Sequence, residues 1–346
     1  MAYVVEVLTR KPIDVAIHTT PDHMLELRED DKIPEPGKDE CLVHVRATGI
    51  CGSDVHFWKD GCIGTSRTTT SQGLGHESAG TIIKCGRNVT TLQPRDRVAL
   101  ECGISCMKSK CFHLPQRLVS RLPGHHLLLF AAEAWLHKIP ESVSFEEGAL
   151  LEPPSVALAG LDRSGLRLGD ALVICGAGPI GMVSLLAANA AGATPIVITG
   201  LDTKRLEMAK RSVPRVRTVL VEKQKRPEEI SEKVEKAIRG KAKLALECTG
   251  AESSVHTAIY STRFGGQVYI NGVGKDVMQI PSMYASFHEI DIRFQFRYRE
   301  TYQKAITLVS EGLIGLKPLV THRFRLDEMQ SAFEAASDPS ARAVKV

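Results

Sequence analysis

The stretch ALVICGAGPIGMVSLLAANAAGATPIVITG, Ala171–Gly200, decides the fold. A short apolar run, ALVIC, reads as a buried strand. Gly176, Gly178 and Gly181 follow it as G-x-G-x-x-G and open an Ala-rich helical stretch. Gly192 is placed to stop that helix, and PIVIT (Pro195–Thr199) reads as the next strand. In such a turn the first glycine permits the tight bend. The second lets the backbone approach a pyrophosphate, and the third lets helix and strand pack closely. The helix N-terminus attracts the anion. The strand–turn–helix context favours a dinucleotide site over a glycine-rich turn of another α/β protein.

A dinucleotide fold of this kind usually ends its second strand on an acidic residue that grips the ribose 2′-OH. Here Gly200 stands at that point, and Asp202, two residues on, reads as the N-cap of the next helix. Lys204 and Arg205 follow. With no carboxylate to repel a 2′-phosphate and two cations nearby, the expected cofactor is NAD(P), leaning to NADP.

Outward from this stretch the chain shows two textures. Strand candidates VRTVLV (Val216–Val221), LALEC (Leu244–Cys248) and GQVYING (Gly266–Gly272) continue the α/β alternation. The run Glu222–Lys243 alternates charge at helical spacing and reads as a solvated helix face, not a nucleic-acid surface. Residues up to about 100 are instead short apolar runs broken by turns, such as CLVHVRATGI (Cys41–Ile50) and AGTIIKCGRNV (Ala79–Val89). Beyond residue 295 a helix (Tyr302–Glu311) and a short strand in VTHRFRL (Val320–Leu326) are expected.

The 346 residues suggest two domains. A net charge of +4 with no basic block points to neither nucleic acid nor a membrane surface as partner. The N-terminus lacks a signal-peptide pattern. The apolar stretch Leu127–Leu136 is too short to span a bilayer. Nine cysteines, an odd number unevenly spread, favour reduced thiols and metal ligation in a cytoplasmic protein.

Three further segments carry chemistry: GICGSDVHFW (Gly49–Trp58), GLGHESAG (Gly73–Gly80) and LLEPPSVALAG (Leu150–Gly160). With the glycine motif they resemble the zinc-dependent medium-chain dehydrogenases, above all their polyol branch. The resemblance covers the chain except for about Phe112–Ala134. It implies a GroES-like β-rich catalytic domain (residues 1–160 and 294–346) and a Rossmann doubly wound parallel sheet (residues 161–293). It also implies an active site in the cleft between them.

By the same resemblance Cys51, His76 and Glu77 match the ligands of one catalytic zinc, and Glu152 the carboxylate that completes the shell, directly or through water. A catalytic zinc wants three protein ligands and an open position. Thiolate, imidazole and carboxylate suit a borderline-soft ion. Ser53 and His56 match a proton relay; His56 would equally serve a hydrogen bond to the cofactor ribose or a backbone carbonyl. Asp54 is expected to orient the site. Phe57, Arg297 and Tyr298 match substrate-side residues, with Phe57 standing where some members have a tyrosine. Ile180, Arg205, Asn271, Gly272, Val273, Gln295 and Arg297 match the cofactor groove.

The implied substrate is a secondary alcohol of a polyol, such as L-arabinitol, xylitol or sorbitol, and the implied assembly a homo-oligomer, dimer or tetramer. Two rivals stand beside it: a related dehydrogenase acting on another small alcohol or ketone, and a non-catalytic protein that retains the cofactor fold.

One segment departs from the family pattern. Cys106 and Cys111 match the first two ligands of a structural zinc lobe, but Leu114 and Leu122 stand near the places of the others. Three readings compete. The lobe has lost its zinc and become an apolar loop or short helix; or Cys102, Cys106, Cys111 and His113 form a rearranged site; or the coding sequence is frame-shifted there. The first and third are favoured, so a structural zinc is not expected. Cys41, Cys62, Cys85, Cys175 and Cys248 read as ordinary buried thiols, and His125 and His126 as loop residues.

Overall fold

A computed structural model describes residues 13–33, 35–102 and 128–346. The chain divides into two compact units. The first comprises Met1–Glu152, Tyr302–Ser310 and Val320–Val346, the second Pro153–Thr301 and Glu311–Leu319.

The first unit is rich in β-structure. Its strands are β1 (Ile13–Thr19), β2 (Leu25–Lys32), β3 (Glu40–Gly49), β4 (Cys62–Ile63), β5 (Ser66–Arg67), β6 (Gln72–Gly73), β7 (Glu77–Cys85), β8 (Arg97–Glu101), β9 (Leu128–Ala132) and β10 (Leu136–Lys138). The main sheet is antiparallel, in the order β10-β8-β7-β3-β9. Alternating residues of β3 and β7 give one face to the core, so Cys41, Val43 and Val45 pack with Ile82, Val98, Leu100 and Leu136. The β3–β7 register pairs Cys41 with Cys85 at one end and Gly49 with Glu77 at the other.

The second unit is a six-stranded parallel sheet. Its strands are β11 (Leu172–Cys175), β12 (Ile196–Gly200), β13 (Arg217–Leu220), β14 (Ala242–Glu247), β15 (Thr262–Ile270) and β16 (Asp291–Phe294), in the order β13-β12-β11-β14-β15-β16. The sequence turns outward from β11 in both directions, which makes β11 and β14 the topological switch point. All four residues of β11 are inaccessible to solvent, as expected of a parallel strand covered on both faces. The helix Pro179–Ala190 follows β11, with proline at its first turn and Gly192 beyond its end at φ 77°. The alternating-charge run becomes the helix Pro227–Ile238, which buries Ile230, Val234 and Ile238 on one stripe and leaves its charged face outward.

Two expectations are corrected. Val320–Leu326 forms no strand: Val320 makes a single bridge to Lys345, and Leu326 opens a 3-10 turn before the helix Met329–Ser337. Its polar side chains are engaged elsewhere, Arg323 with Glu146 and Arg325 with Asp327. The divergent stretch also does not end as a loop or helix. Its last part is β9, paired antiparallel with β3 from Glu40–Ala132 to His44–Leu128, so this apolar run completes the sheet edge. Cys106, Cys111, His113, Leu114, Leu122, His125 and His126 lie outside the described residues.

Truncating the central strand measures how far the second unit depends on it. Ile174→Ala should cost about 2–5 kcal/mol through lost burial and a cavity, read as a lowered midpoint in denaturant unfolding. Truncation of the exposed Leu168 should cost under about 0.5 kcal/mol.

Candidate functional site

In the first unit three donor atoms converge. The Cys51 sulfur, a His76 ring nitrogen and a Glu77 carboxylate oxygen all lie within 4.8 Å of one another. Local structure explains how residues 25 positions apart meet. Cys51 caps the helix Gly52–Lys59, and Asp54, in its first turn, accepts the Cys51 N–H through Oδ2 at 2.9 Å. The other oxygen, Oδ1, accepts the Gly75 N–H at 2.9 Å and lies 3.5 Å from His76 Nδ1. One buried carboxylate thus ties the two donor loops together. By engaging Nδ1 it leaves Nε2 as the nitrogen free to ligate.

Glu77 opens β7 opposite Gly49. A Cβ on Gly49 would fall 2.3 Å from Glu77 Oε2, so only glycine fits beside that carboxylate. Glu77 itself is fully buried, and both its oxygens accept from Lys345 Nζ. Burial works against the charge on Lys345, but Glu77, then Cys51 and Glu152, hold its pKa above the ordinary value. His76 behaves alike. Burial lowers its pKa, and the charges of Asp54 and Cys51 outweigh that and raise it well above the usual range. Both groups report a negative local field.

The other expected residues of this unit are placed differently. Glu152 is buried at the start of the helix Glu152–Ser164, yet its carboxylate is not among the three that converge. Ser53 is half-buried. His56 is half-exposed, with Nδ1 2.7 Å from Asp60 Oδ2. Phe57 packs with Trp58 on the cluster of Ile17, Leu74 and Phe333, which accounts for an apolar residue there. Lys345 was not singled out from sequence. It lies 268 positions from Glu77, and no motif marks it.

The second unit carries a cavity of ≈ 410 Å³ at the glycine turn, lined by Gly176, Gly178, Gly200 and Arg205 among others. A Cβ on Gly181 would sit 1.9 Å from the Gly176 carbonyl oxygen, which is the close packing that the third glycine permits. Asp202 lines the cavity but its carboxylate caps the helix Thr203–Ser212, accepting the Arg205 N–H at 3.1 Å. Lys204 is exposed and does not line the cavity. Lys223 and Lys225 do line it; sequence reading missed them because they follow β13, which pairs with β12 only in the folded sheet.

Polar atoms in the same unit are left without partners. Both amide atoms of Asn271, Gln295 Oε1 and Arg297 Nη1 are buried and make no hydrogen bond. Asn271 and Gln295 flank Gly160, and Gln295 Nε2 donates to the Val156 carbonyl at 2.7 Å. Arg297 is held at φ 54°, a strained conformation for a residue with a side chain. Buried polar groups are rarely orphaned, so these atoms fit a polar ligand. Tyr298 is buried, Ile180 and Gly272 half-buried, and Val273 exposed. None of these four, nor Asn271, Gln295 or Arg297, lines the cavity.

Comparison with known proteins shows the family and the fold. The family described as zinc-binding dehydrogenase matches residues 179–311, and the alcohol dehydrogenase GroES-like domain matches residues 37–141. The L-arabinitol 4-dehydrogenase of Aspergillus oryzae is 46% identical over 96% of this chain and 94% of its own length. The sorbitol dehydrogenase of Macaca fascicularis is 40% identical over 94% and 92%. Among solved structures, the 2R,3R-butanediol dehydrogenase of Bacillus subtilis superposes with a TM-score of 0.84 at 25% identity, covering 96% of this chain and 98% of that one. A Sinorhizobium meliloti protein named after the zinc-binding dehydrogenases and solved with NADP superposes equally well, at 26% identity and the same coverage.

The Asp54 bridge can be tested directly. Asp54→Asn retains the shape but weakens the hold on both donor loops, and the affinity for zinc should fall about 10–100-fold, measured by competition with a chelator.

Proposed function

We propose that this chain, which belongs to the zinc-binding dehydrogenase family, oxidises a secondary hydroxyl of a pentitol or hexitol, with hydride passing to a nicotinamide dinucleotide. It is a polyol dehydrogenase: relatives named for L-arabinitol and for sorbitol match it along nearly their whole length. The observation that carries the site assignment is the convergence of Cys51, His76 and Glu77 within 4.8 Å. Thiolate, imidazole and carboxylate are the donor types that zinc takes, and three of them leave a position open.

When bound, zinc supplies Lewis acidity at the substrate oxygen. The chain's own groups do the rest. Cys51, His76 and Glu77 hold the ion, with Glu152 at the margin of the site. Ser53 passes the hydroxyl proton toward His56. The Asp60 carboxylate holds the His56 proton on Nδ1 and leaves Nε2 to receive the transferred one. Arg297 donates from its unpartnered Nη1 to substrate or cofactor oxygens, and Tyr298 stands beside it. The amides of Asn271 and Gln295 offer both donors and acceptors to the polar nicotinamide end. The glycine turn and the positive end of the helix Pro179–Ala190 receive the pyrophosphate.

For the adenosine ribose we propose NADP at least as readily as NAD. Gly200 brings no carboxylate to the cavity, Asp202 caps a helix, Glu222 on the rim is paired with Lys233, and Arg205 and Lys223 add positive charge beside Lys225, which is paired with Glu229. We further propose a homo-oligomer and a cytoplasmic setting. The edge strand β16 and the turn after it expose Phe294 and Phe296, a poor surface to leave in water. The seven described cysteines are all free thiols.

Two measurements test the reading. Cys51→Ala should lower polyol oxidation by about 10³-fold or more, since the metal contributes several kcal/mol to the transition state; undiminished turnover would exclude the assigned centre. Arg205→Ser should raise KM for NADP about 10–100-fold, the worth of a charge-assisted hydrogen bond, and leave KM for NAD little changed. A wild-type enzyme that strongly prefers NAD would refute the cofactor assignment.

A further inference from the structure

Lys345, which is paired with one corner of the donor triad, has no part in the chemistry described above. Lys345 Nζ donates to both oxygens of Glu77 and, at 3.3 Å, to the Ile50 carbonyl. The side chains are 5% and 0% exposed. Charges so deeply buried persist only when paired. The strap Ala343–Val346 carries the lysine and is itself pinned. The Val346 carbonyl accepts the Ile50 N–H at 3.0 Å, and the Lys345 carbonyl accepts the Thr321 N–H and hydroxyl, both at 3.0 Å. The ammonium is therefore set in place by backbone contacts on both sides.

Glu77 is thus claimed twice. It is one corner of the Cys51–His76–Glu77 triad, yet both its oxygens already accept from lysine. A divalent ion entering the triad would share that carboxylate with Lys345, through a lone pair the ammonium leaves open, and would sit close to the ammonium. We propose that Lys345 is a positioning residue that makes Glu77 a releasable ligand, holding the carboxylate when the metal is away and competing for it when the metal is bound. In this way the strap sets how fast the centre exchanges its metal. The inference rests on the reading of the triad as the zinc site.

Lys345→Met keeps the length of the side chain and removes the charge. Two effects then act in one direction. The repulsion between ammonium and metal disappears, and Glu77 is left as a buried carboxylate that only a metal can satisfy. Zinc-loaded wild-type and K345M proteins should be challenged with a chromophoric chelator and zinc release followed in time. K345M should release zinc at least about tenfold more slowly, given the strength of charge interactions at such range. The gap in Tm between zinc-loaded and zinc-free protein should also widen.

K345R retains the charge and should release zinc at nearly the wild-type rate. Release from K345M as fast as from wild type, or faster, overturns the proposal. Where zinc-free K345M fails to fold, the pair E77Q and E77Q/K345M keeps the question open to measurement. With Glu77 neutral, only the direct repulsion between ammonium and metal remains, so Lys345→Met should slow release clearly less than it does in the wild-type background, and an equally large slowing means that the lysine does not act through Glu77. Zinc retained in full by Cys51→Ala would sink the triad as the metal site, and this inference with it. Zinc lost from Cys51→Ala, with K345M unaltered, would sink only the role of the lysine.

Discussion

The candidate centre depends on one carboxylate. Asp54 receives the N–H of Cys51 with one oxygen and the N–H of Gly75 with the other, and the ring of His76 lies against it. Hydrogen bonds to a charged group are worth about 1.5–3 kcal/mol each. Here they join a helix N-terminus to a loop 21 residues further along the chain. Without that link the sulfur and the imidazole would sit on two independent turns. With it, a sheet register can do the remainder: β7 starts at Glu77, so the residue after the histidine is delivered as the third donor. Gly49 belongs to the same device, because any side chain there would displace the Glu77 carboxylate.

A similar economy holds in the second unit. Gly181 stands so close to the Gly176 carbonyl that the helix Pro179–Ala190 can seat directly on β11. That contact aims the helix N-terminus at the cavity, and the switch between β11 and β14 opens the space for a ligand. The rim of the cavity is made of what the neighbouring strands deliver. β12 delivers Gly200 where a carboxylate is common, and the segment after β13 delivers Lys223.

Legibility in the sequence follows contact range. The parallel sheet was readable because each strand and helix announces itself locally, through ALVIC, PIVIT and the glycine turn. The donors Cys51, His76 and Glu77 were readable only through motif resemblance, since nothing in the spacing of GICGSD and GLGHES says that they meet. Lys345 was not readable at all, because its partner lies at the other end of the chain and a lysine before a valine carries no signal. β9 was missed for a related reason. LLLFAA has no alternation, and only pairing with β3 makes it a strand. The supposed strand Val320–Leu326 fails in the opposite way: its alternation is present, but no neighbouring strand takes up its hydrogen bonds beyond the single bridge at Val320.

The charge state of the pocket ties these features together. Asp54, Glu77 and Glu152 are each 5% exposed or less, and Lys345 and His76 lie among them. Burial alone would strip the proton from either cationic group. Their pKa values are raised instead, because Glu77 and Cys51 act on the lysine, and Asp54 and Cys51 on the imidazole. A site that raises the pKa of two buried cationic groups against desolvation has a negative potential. The same potential favours a divalent cation, and zinc ligation requires His76 to give up its proton. Binding of a metal there would be an exchange of positive charge within a negative frame. A proton on His76 would leave on ligation, whereas Lys345, covalently fixed in its strap, would stay beside the Glu77 carboxylate.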